Sequence, residues 1–247
     1  AEDRFKLVAF DYSQMELRIA AFLSGDEKLI EIFRKGEDVH TAVASEVFDV
    51  SFDKVDKEMR RRAKVINFGI IYGMGINALR QNLGTDRESA QKFYNEYFKK
   101  FAGLAEYLEK VKNETFKKGY TETFFGRRRY FEGLNSPLPY IRASAERMAI
   151  NAPIQGTGAD IVKLAMIKVN EFLKGENLLE DARLLLQVHD ELLFEIKGSV
   201  VKKVSPEIKK IMEDVISTKD TKGIIFAVDV SVGDNWGEME KVVGSRG

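Results

Sequence analysis

The sequence has no cysteine, which excludes disulfides and thiolate metal sites and permits a reducing compartment. Its two histidines, His40 and His189, are too few for a histidine-rich zinc site. There is no run of about 18 apolar residues, so no membrane-spanning helix is expected. Neither charge is in excess, because Lys plus Arg and Asp plus Glu each number 39. That balance argues against a simple polybasic nucleic-acid binder, although affinity for phosphates depends on local clusters rather than on the total. Two such clusters exist, Arg60 to Lys64 and Arg127 to Arg129, and solvated surface charge explains either one taken alone. No signal-peptide pattern opens the chain, and since Ala1 is not a natural start the sequence reads as a fragment. Internal repeats and low-complexity tracts are also missing.

What is present is an ordinary globular composition over 247 residues, enough for a sizeable core and for two domains. "FKLVAFDYS" reads as a short buried strand, Leu7 to Phe10, that stops at Asp11. A helix is expected from about Gln14, and Ser24 with Glu27 fits a capping box for the next one. Helices follow at His40 to Phe48, through "RRRAKVINFGIIYG", and at Leu79 to Leu83 with Gly84 as a stop. Thr85 and Glu88 suggest another capping box, and Gly103 to Lys118 forms a long amphipathic helix ended by Gly119. "YTETFFGRRRYF" reads as a hairpin around Gly126, and Arg142 to Leu173 as a helical region broken near Pro153 and Gly156. Near the end, "ARLLLQV" and "ELLFEI" flank His189–Asp190 as a tight hairpin with Asp190 at its tip. "VSPEIKKIMEDVI" is then a helix and "FAVDVSVG" a last strand. The order suggests a sheet-containing domain interrupted by a helical insertion.

Within residues 60 to 73, Arg60, Lys64, Phe68 and Tyr72 recur at intervals of four. Each helical step of four turns about 40° past a full revolution, so the four form one slowly winding stripe. It is cationic at one end and flat and apolar at the other, which suits a ligand with a charged tail and a planar head. Phe68 as a plain core residue is the competing reading.

Two acids stand at strand ends, Asp11 and Asp190. If their strands are neighbours, the carboxylates converge and repel, and hard divalent cations resolve that repulsion. Paired Mg²⁺ ions about 3.5–4 Å apart serve phosphoryl transfer in this way. Aspartate after a strand is also a common turn residue, and nearby Glu16 and Glu191 either enrich the site or face solvent. "GMGINA" at 73 to 78 matches a dinucleotide-binding fingerprint, but helices rather than strands are expected on both sides of it, so that reading is set aside.

Taken together, "DYSQMELR", "RRRAKVINFGIIYG" and "QVHDE" resemble motifs A, B and C of family A DNA polymerases, the bacterial DNA polymerase I type. "ERMAINAPIQGTGADIVKLAM" is similar to that family's palm helix beside the nascent duplex, and the resemblance runs from about residue 5 to 237. It implies an α+β fold, an antiparallel palm sheet flanked by helices with helical fingers inserted. The expected division is palm at 1–37, fingers at 38–137 and palm again at 138–247, with thumb and exonuclease domains absent. Asp11 and Asp190, with the Tyr12 carbonyl, would hold two Mg²⁺ ions, for which Mn²⁺ can substitute. Arg60, Lys64 and His40 would hold the incoming triphosphate, with Lys64 a candidate proton donor to pyrophosphate. Phe68 would pack on sugar and base, Tyr72 would stack near the templating base, and Glu16 would block a 2′-hydroxyl. Arg147, Asn151 and Gln155 would touch the minor groove of primer–template DNA, His189 would approach the primer end, and Glu191 would be auxiliary.

The resemblance further implies deoxynucleoside triphosphate substrates, a monomer without membrane attachment, and a cytoplasmic setting of bacterial, phage or organellar origin. Met15 stands where the family more often has Ile, and Gly158 where it has Ala, which loosens the helix there by up to ~1 kcal/mol. A single-subunit RNA polymerase fits Glu16 and Phe68 poorly. A two-metal nuclease leaves the stripe unexplained. A fragment that binds nucleotide or DNA without catalysis, for want of a thumb, is the remaining alternative.

Overall fold

The computed structural model describes residues 1–242. Strand β1 (Phe5–Tyr12) is followed by helices α1 (Met15–Ser24), α2 (Glu27–Lys35), α3 (Val39–Phe48) and α4 (Lys57–Ile71). Next come α5 (Ile76–Leu83), α6 (Arg87–Lys100), α7 (Ala102–Lys118) and the hairpin β2 (Tyr120–Glu122) and β3 (Arg128–Tyr130). The last part holds α8 (Pro139–Gly175), β4 (Ala182–Val188), β5 (Glu191–Lys197), α9 (Val201–Glu213), β6 (Val228–Gly233) and β7 (Glu240–Lys241). The fold is α+β, as the motifs imply.

The elements form where periodicity places them, but several boundaries are set differently. Helix α2 is capped by Asp26, whose carboxylate accepts from Leu29 N at 3.1 Å, and not by Ser24. Ser24 still belongs to α1, its hydroxyl bonded to Ala21 O. A carboxylate one turn before the apolar run is the stronger acceptor for the free N–H groups. Asp26 also accepts from Leu104 N at 3.2 Å, and a Cβ on Gly103 would come within 2.9 Å of Asp26 Cα, so glycine there permits the approach. In the same way Asp86, not Thr85, caps α6, while Thr85 N closes the end of α5 on Arg80 O.

Helix α8 runs unbroken through Pro153 and Gly156. Proline removes one donor from the helix, and one turn on, the Thr157 hydroxyl ties α8 to the β2–β3 hairpin, donating to Pro153 O at 2.6 Å and accepting from Phe124 N at 3.0 Å. Gly156 is needed for contact rather than for a break, since a Cβ there would meet Thr123 of the β2–β3 hairpin at 2.6 Å. Gly158 lies inside the helix, not at its start.

The chain divides into two compact units, one built from Ala1–Met15 and the stretch from Gly158 onward, the other from Glu16–Thr157. The first holds a five-stranded antiparallel sheet in the order β4-β5-β1-β6-β7. Central β1 is buried at Val8, Ala9 and Phe10. One face carries Val8, Phe10 and Tyr12, with Phe10 edge-on to Phe194 and the Tyr12 hydroxyl donating to Met212 O of α9 at 2.7 Å. The other face carries Leu7, Ala9 and Leu193, and by the period of two it also carries Asp11. Strand β7, two residues long, is too short to show alternation and was not legible in the sequence.

The second unit is helical apart from the β2–β3 hairpin, which turns at Gly126 with φ of 82°. Helix α4 buries Ala63, Ile66, Asn67, Ile70 and Ile71. That leaves the face of Arg60, Lys64, Phe68 and Tyr72 outward or half-buried. The "GMGINA" segment joins α4 to α5, so no strand precedes it and the dinucleotide fingerprint is ruled out.

Candidate active site

In the sheet unit the acids are brought together by register. Strands β4 and β5 are joined by two residues, His189 and Asp190, with His189 in the left-handed region at φ 53° as such a turn requires. Gln187 Nε2 donates to His189 O at 2.7 Å, and Tyr12 N donates to Asp190 O at 3.3 Å, tying the turn to the end of β1. On β1, Asp11 lies directly opposite Glu191 of β5 and Asp229 of β6. Three carboxylates therefore stand in a row across three strands, with Asp190 beside them.

Like charges directly opposite one another are unfavourable. Burial pushes the Asp11 carboxyl up, and Asp190, Glu191 and Asp229 push it further, to about 6, with Lys241 opposing them. Lys241 pairs with Asp229 at 3.0 Å, and Trp236 Nε1 donates to Glu191 at 3.1 Å. Asp229 was not singled out from sequence. Its signal was present, an acid set between Val228 and Val230 in a valine-rich strand, but its partner is remote in the chain.

Among the described residues no three His, Asp or Glu side chains are grouped to hold a metal unaided. Mg²⁺ takes one or two carboxylates and completes its shell with water and substrate phosphates, so it needs no larger cluster. The Tyr12 ring is buried, so what this residue can offer a ligand is its main chain. An acidic row short of positive charge has the chemistry that divalent cations relieve, and Asp11 and Asp190 fit the group.

In the helical unit, α4 starts on the Asp56 cap, with Arg61 and Arg62 both paired to Glu58. Arg60 turns elsewhere, giving Nε and Nη2 to Asp38 at 2.9 Å each. Among the described residues exposed Lys64 has no ion-pair partner. His40 is buried against α4, its Nδ1 accepting from Asn67 Nδ2 at 3.1 Å and its ring 5.7 Å from Phe68. Phe68 and Tyr72 lie nearly parallel, with centroids 6.5 Å apart, and the Tyr72 hydroxyl donates to Glu16 at 2.8 Å.

Past Tyr72 the chain turns at Gly73 with φ of 64°, where a Cβ would also crowd Arg147 Cγ at 3.1 Å. With its amide oriented to suit its neighbours, Asn151 donates to Ile71 O. Arg147 and Asn151 of α8 thus sit beside the end of α4, while Gln155 is exposed further along.

Burial lowers the pKa of His40 from its ordinary value to about 4, helped by Arg60 and Lys64 and opposed by Asp38. Its imidazole is therefore neutral near pH 7 and can donate one hydrogen bond but no charge. Below about 6.5 the unfolded chain takes up the proton first, so His40 makes stability fall as pH drops from 6.5 to 4. We expect His40→Gln to flatten that fall. Urea unfolding of both proteins between pH 4 and 7 measures it, and parallel curves would contradict a buried neutral imidazole.

Residues 1–238 match the family model described as DNA polymerase family A. The thermostable DNA polymerase I of Thermus aquaticus is 45% identical over 236 residues, covering 96% of this chain and 27% of that protein. DNA polymerase I of Pseudomonas aeruginosa is 43% identical over 238 residues, covering 96% of this chain and 25% of the relative. The chain thus spans about a quarter of the length of the curated relatives it matches. Among solved structures, the POL domain of Pol1 from M. smegmatis, in complex with DNA primer-template and dNTP, superposes with a TM-score of 0.87. It is 42% identical, and the match covers 94% of this chain and 40% of that one.

Proposed function

This chain belongs to DNA polymerase family A, and from that premise we propose that it carries the nucleotide-adding centre of a template-directed DNA polymerase. The reaction joins a primer 3′-hydroxyl to the α-phosphate of a deoxynucleoside triphosphate and releases pyrophosphate. The observation that carries this reading is the acidic row, with Asp11 facing Glu191 and Asp229 and with Asp190 on the adjoining turn. The M. smegmatis domain, described with primer-template and dNTP, supports the choice of substrates.

Two Mg²⁺ ions, or Mn²⁺ in their place, held by Asp11, Asp190 and the Tyr12 carbonyl, would supply charge neutralisation for the attacking and leaving oxygens. The remaining work falls to side chains. Arg60 and Lys64 give the triphosphate charge-assisted hydrogen bonds, and neutral His40 adds one without charge. Lys64 donates a proton to the departing pyrophosphate. Phe68 packs on the sugar and base, a contact open to every base because each has a π-face. Tyr72 stacks at the template position, and Glu16 closes the space that a 2′-hydroxyl needs.

Arg147, Asn151 and Gln155 donate to minor-groove acceptors that all base pairs share, so they test geometry rather than sequence. His189 approaches the primer end, and Glu191 is auxiliary to the metal pair. By duty we assign residues 1–37 and 138–247 to the palm and 38–137 to the fingers. We place the protein in the cytoplasm, acting as a monomer. Among the described residues no helix is long and apolar enough to cross a membrane.

Primer extension by this chain, with labelled primer–template, four dNTPs and Mg²⁺, tests the proposal. Lengthened primer that EDTA abolishes is the expected result. A chain that binds dATP and DNA yet leaves the primer unextended would instead establish the narrower role, a binding fragment lacking independent catalysis. That outcome has a specific motive, since the match covers only 40% of the M. smegmatis polymerase domain.

A further inference from the structure

Arg60 is gripped by a carboxylate that lies outside the stripe. Asp38 is the N-cap of α3, and its Oδ2 accepts from Thr41 N at 2.8 Å and from the Thr41 hydroxyl at 2.6 Å. Both Asp38 oxygens also accept from Arg60, Oδ2 from Nε and Oδ1 from Nη2, each at 2.9 Å. The carboxylate is therefore fixed by its own helix before it meets the guanidinium. An exposed ion pair between two free side chains contributes little, but one with a locked partner and bidentate geometry sets an orientation.

Guanidinium is planar and has two edges able to bind bidentately, Nε with one Nη and the two Nη together. Asp38 takes the first edge. Among the described residues nothing bonds to Arg60 Nη1, so the second edge is the one available to a ligand. We propose that Asp38 is the positioning residue for Arg60, holding one edge of the guanidinium so that the other faces the outer phosphates of the incoming nucleoside triphosphate. This rests on the reading of Arg60 as a triphosphate ligand. The hydrogen bonds from Arg60 and Thr41 outweigh the effect of burial on Asp38 and hold its carboxyl down to about 2, so the grip persists across the working pH range.

The opposite role is conceivable from the same contact, with Asp38 occupying the seat of a phosphate and competing with it. The two roles differ in sign. Asp38→Asn keeps a residue equally good as a helix N-cap but offers the guanidinium a single acceptor and no charge. The test titrates the whole chain with Mg²⁺–dATP and, separately, with dAMP, which lacks the outer phosphates. Asp38→Asn is expected to weaken dATP about tenfold and to leave dAMP within about twofold. A merely structural role would weaken both nucleotides alike. In an Arg60→Ala background, itself weaker for dATP, Asp38→Asn is expected to add nothing.

Unchanged or tighter dATP binding in Asp38→Asn, equal loss of both nucleotides, or additive losses in the double variant would each overturn the proposal. If Arg60→Ala leaves dATP binding intact, or the chain does not bind dATP, the triphosphate reading of the stripe fails and this one with it. If Arg60→Ala weakens dATP and Asp38→Asn does not, only the positioning role fails.

Discussion

Replacing Asp190 with alanine is expected to slow nucleotide addition by at least ~10³-fold, about 4 kcal/mol of transition-state stabilisation. Binding of primer–template DNA should stay within about twofold. The argument begins with where the residue sits. Asp190 is on a two-residue turn, not in the core, and the turn is held by main-chain and Gln187 hydrogen bonds that alanine leaves in place. Removing its charge also relieves Asp11, one of whose perturbing neighbours is Asp190. The variant should therefore melt no earlier than the parent, which separates lost chemistry from lost fold. Single-turnover primer extension, a DNA-binding titration and a melting curve on the same sample measure all three. Extension retained above a tenth of the parent rate would take Asp190 out of the chemistry.

Replacing Glu16 with alanine is expected to reduce the preference for dATP over rATP by ~10²-fold, about 3 kcal/mol. A pocket that merely fits its substrate rejects an added hydroxyl weakly, so strong rejection needs a wall that does not yield. Glu16 has such support, because the Tyr72 hydroxyl donates to its carboxylate at 2.8 Å. Glu16→Gln keeps the volume and an acceptor for Tyr72, so it should keep most of the discrimination. Tyr72→Phe keeps the ring but removes that hydrogen bond, so it should lose part. Competition between the two nucleotides, read as a ratio of kcat/KM, ranks the variants. Equal ratios in Glu16→Ala and the parent would remove Glu16 from sugar selection.

Much of this site is visible in local pattern. The stripe from Arg60 to Tyr72 follows from the helical repeat alone, and the structure has α4 running from Lys57 to Ile71 as that repeat demands. The tight turn at His189–Asp190 follows from two apolar runs parted by a polar pair, and the hairpin is found there. Where expectation failed, a contact from elsewhere in the chain had decided the matter. Pro153 does not break α8, whose next turn packs against the β2–β3 hairpin through Gly156 and through Thr157, which accepts from Phe124 N. Asp26 rather than Ser24 caps α2, and the same carboxylate also serves the start of α7.

By itself the sequence determined the family, most of the order of strands and helices, and the residue types able to bind phosphates, sugars and metals, because these depend on spacing along one segment. Tertiary structure alone decided that Asp229 joins Asp11 and Glu191 in one row, since register is set between strands more than 200 residues apart in the chain. It also decided that His40 is neutral, because burial is a property of the surroundings and not of the motif. And it alone supplied Asp38 as the partner of Arg60, since a guanidinium is directed by whatever carboxylate the fold fixes within its reach.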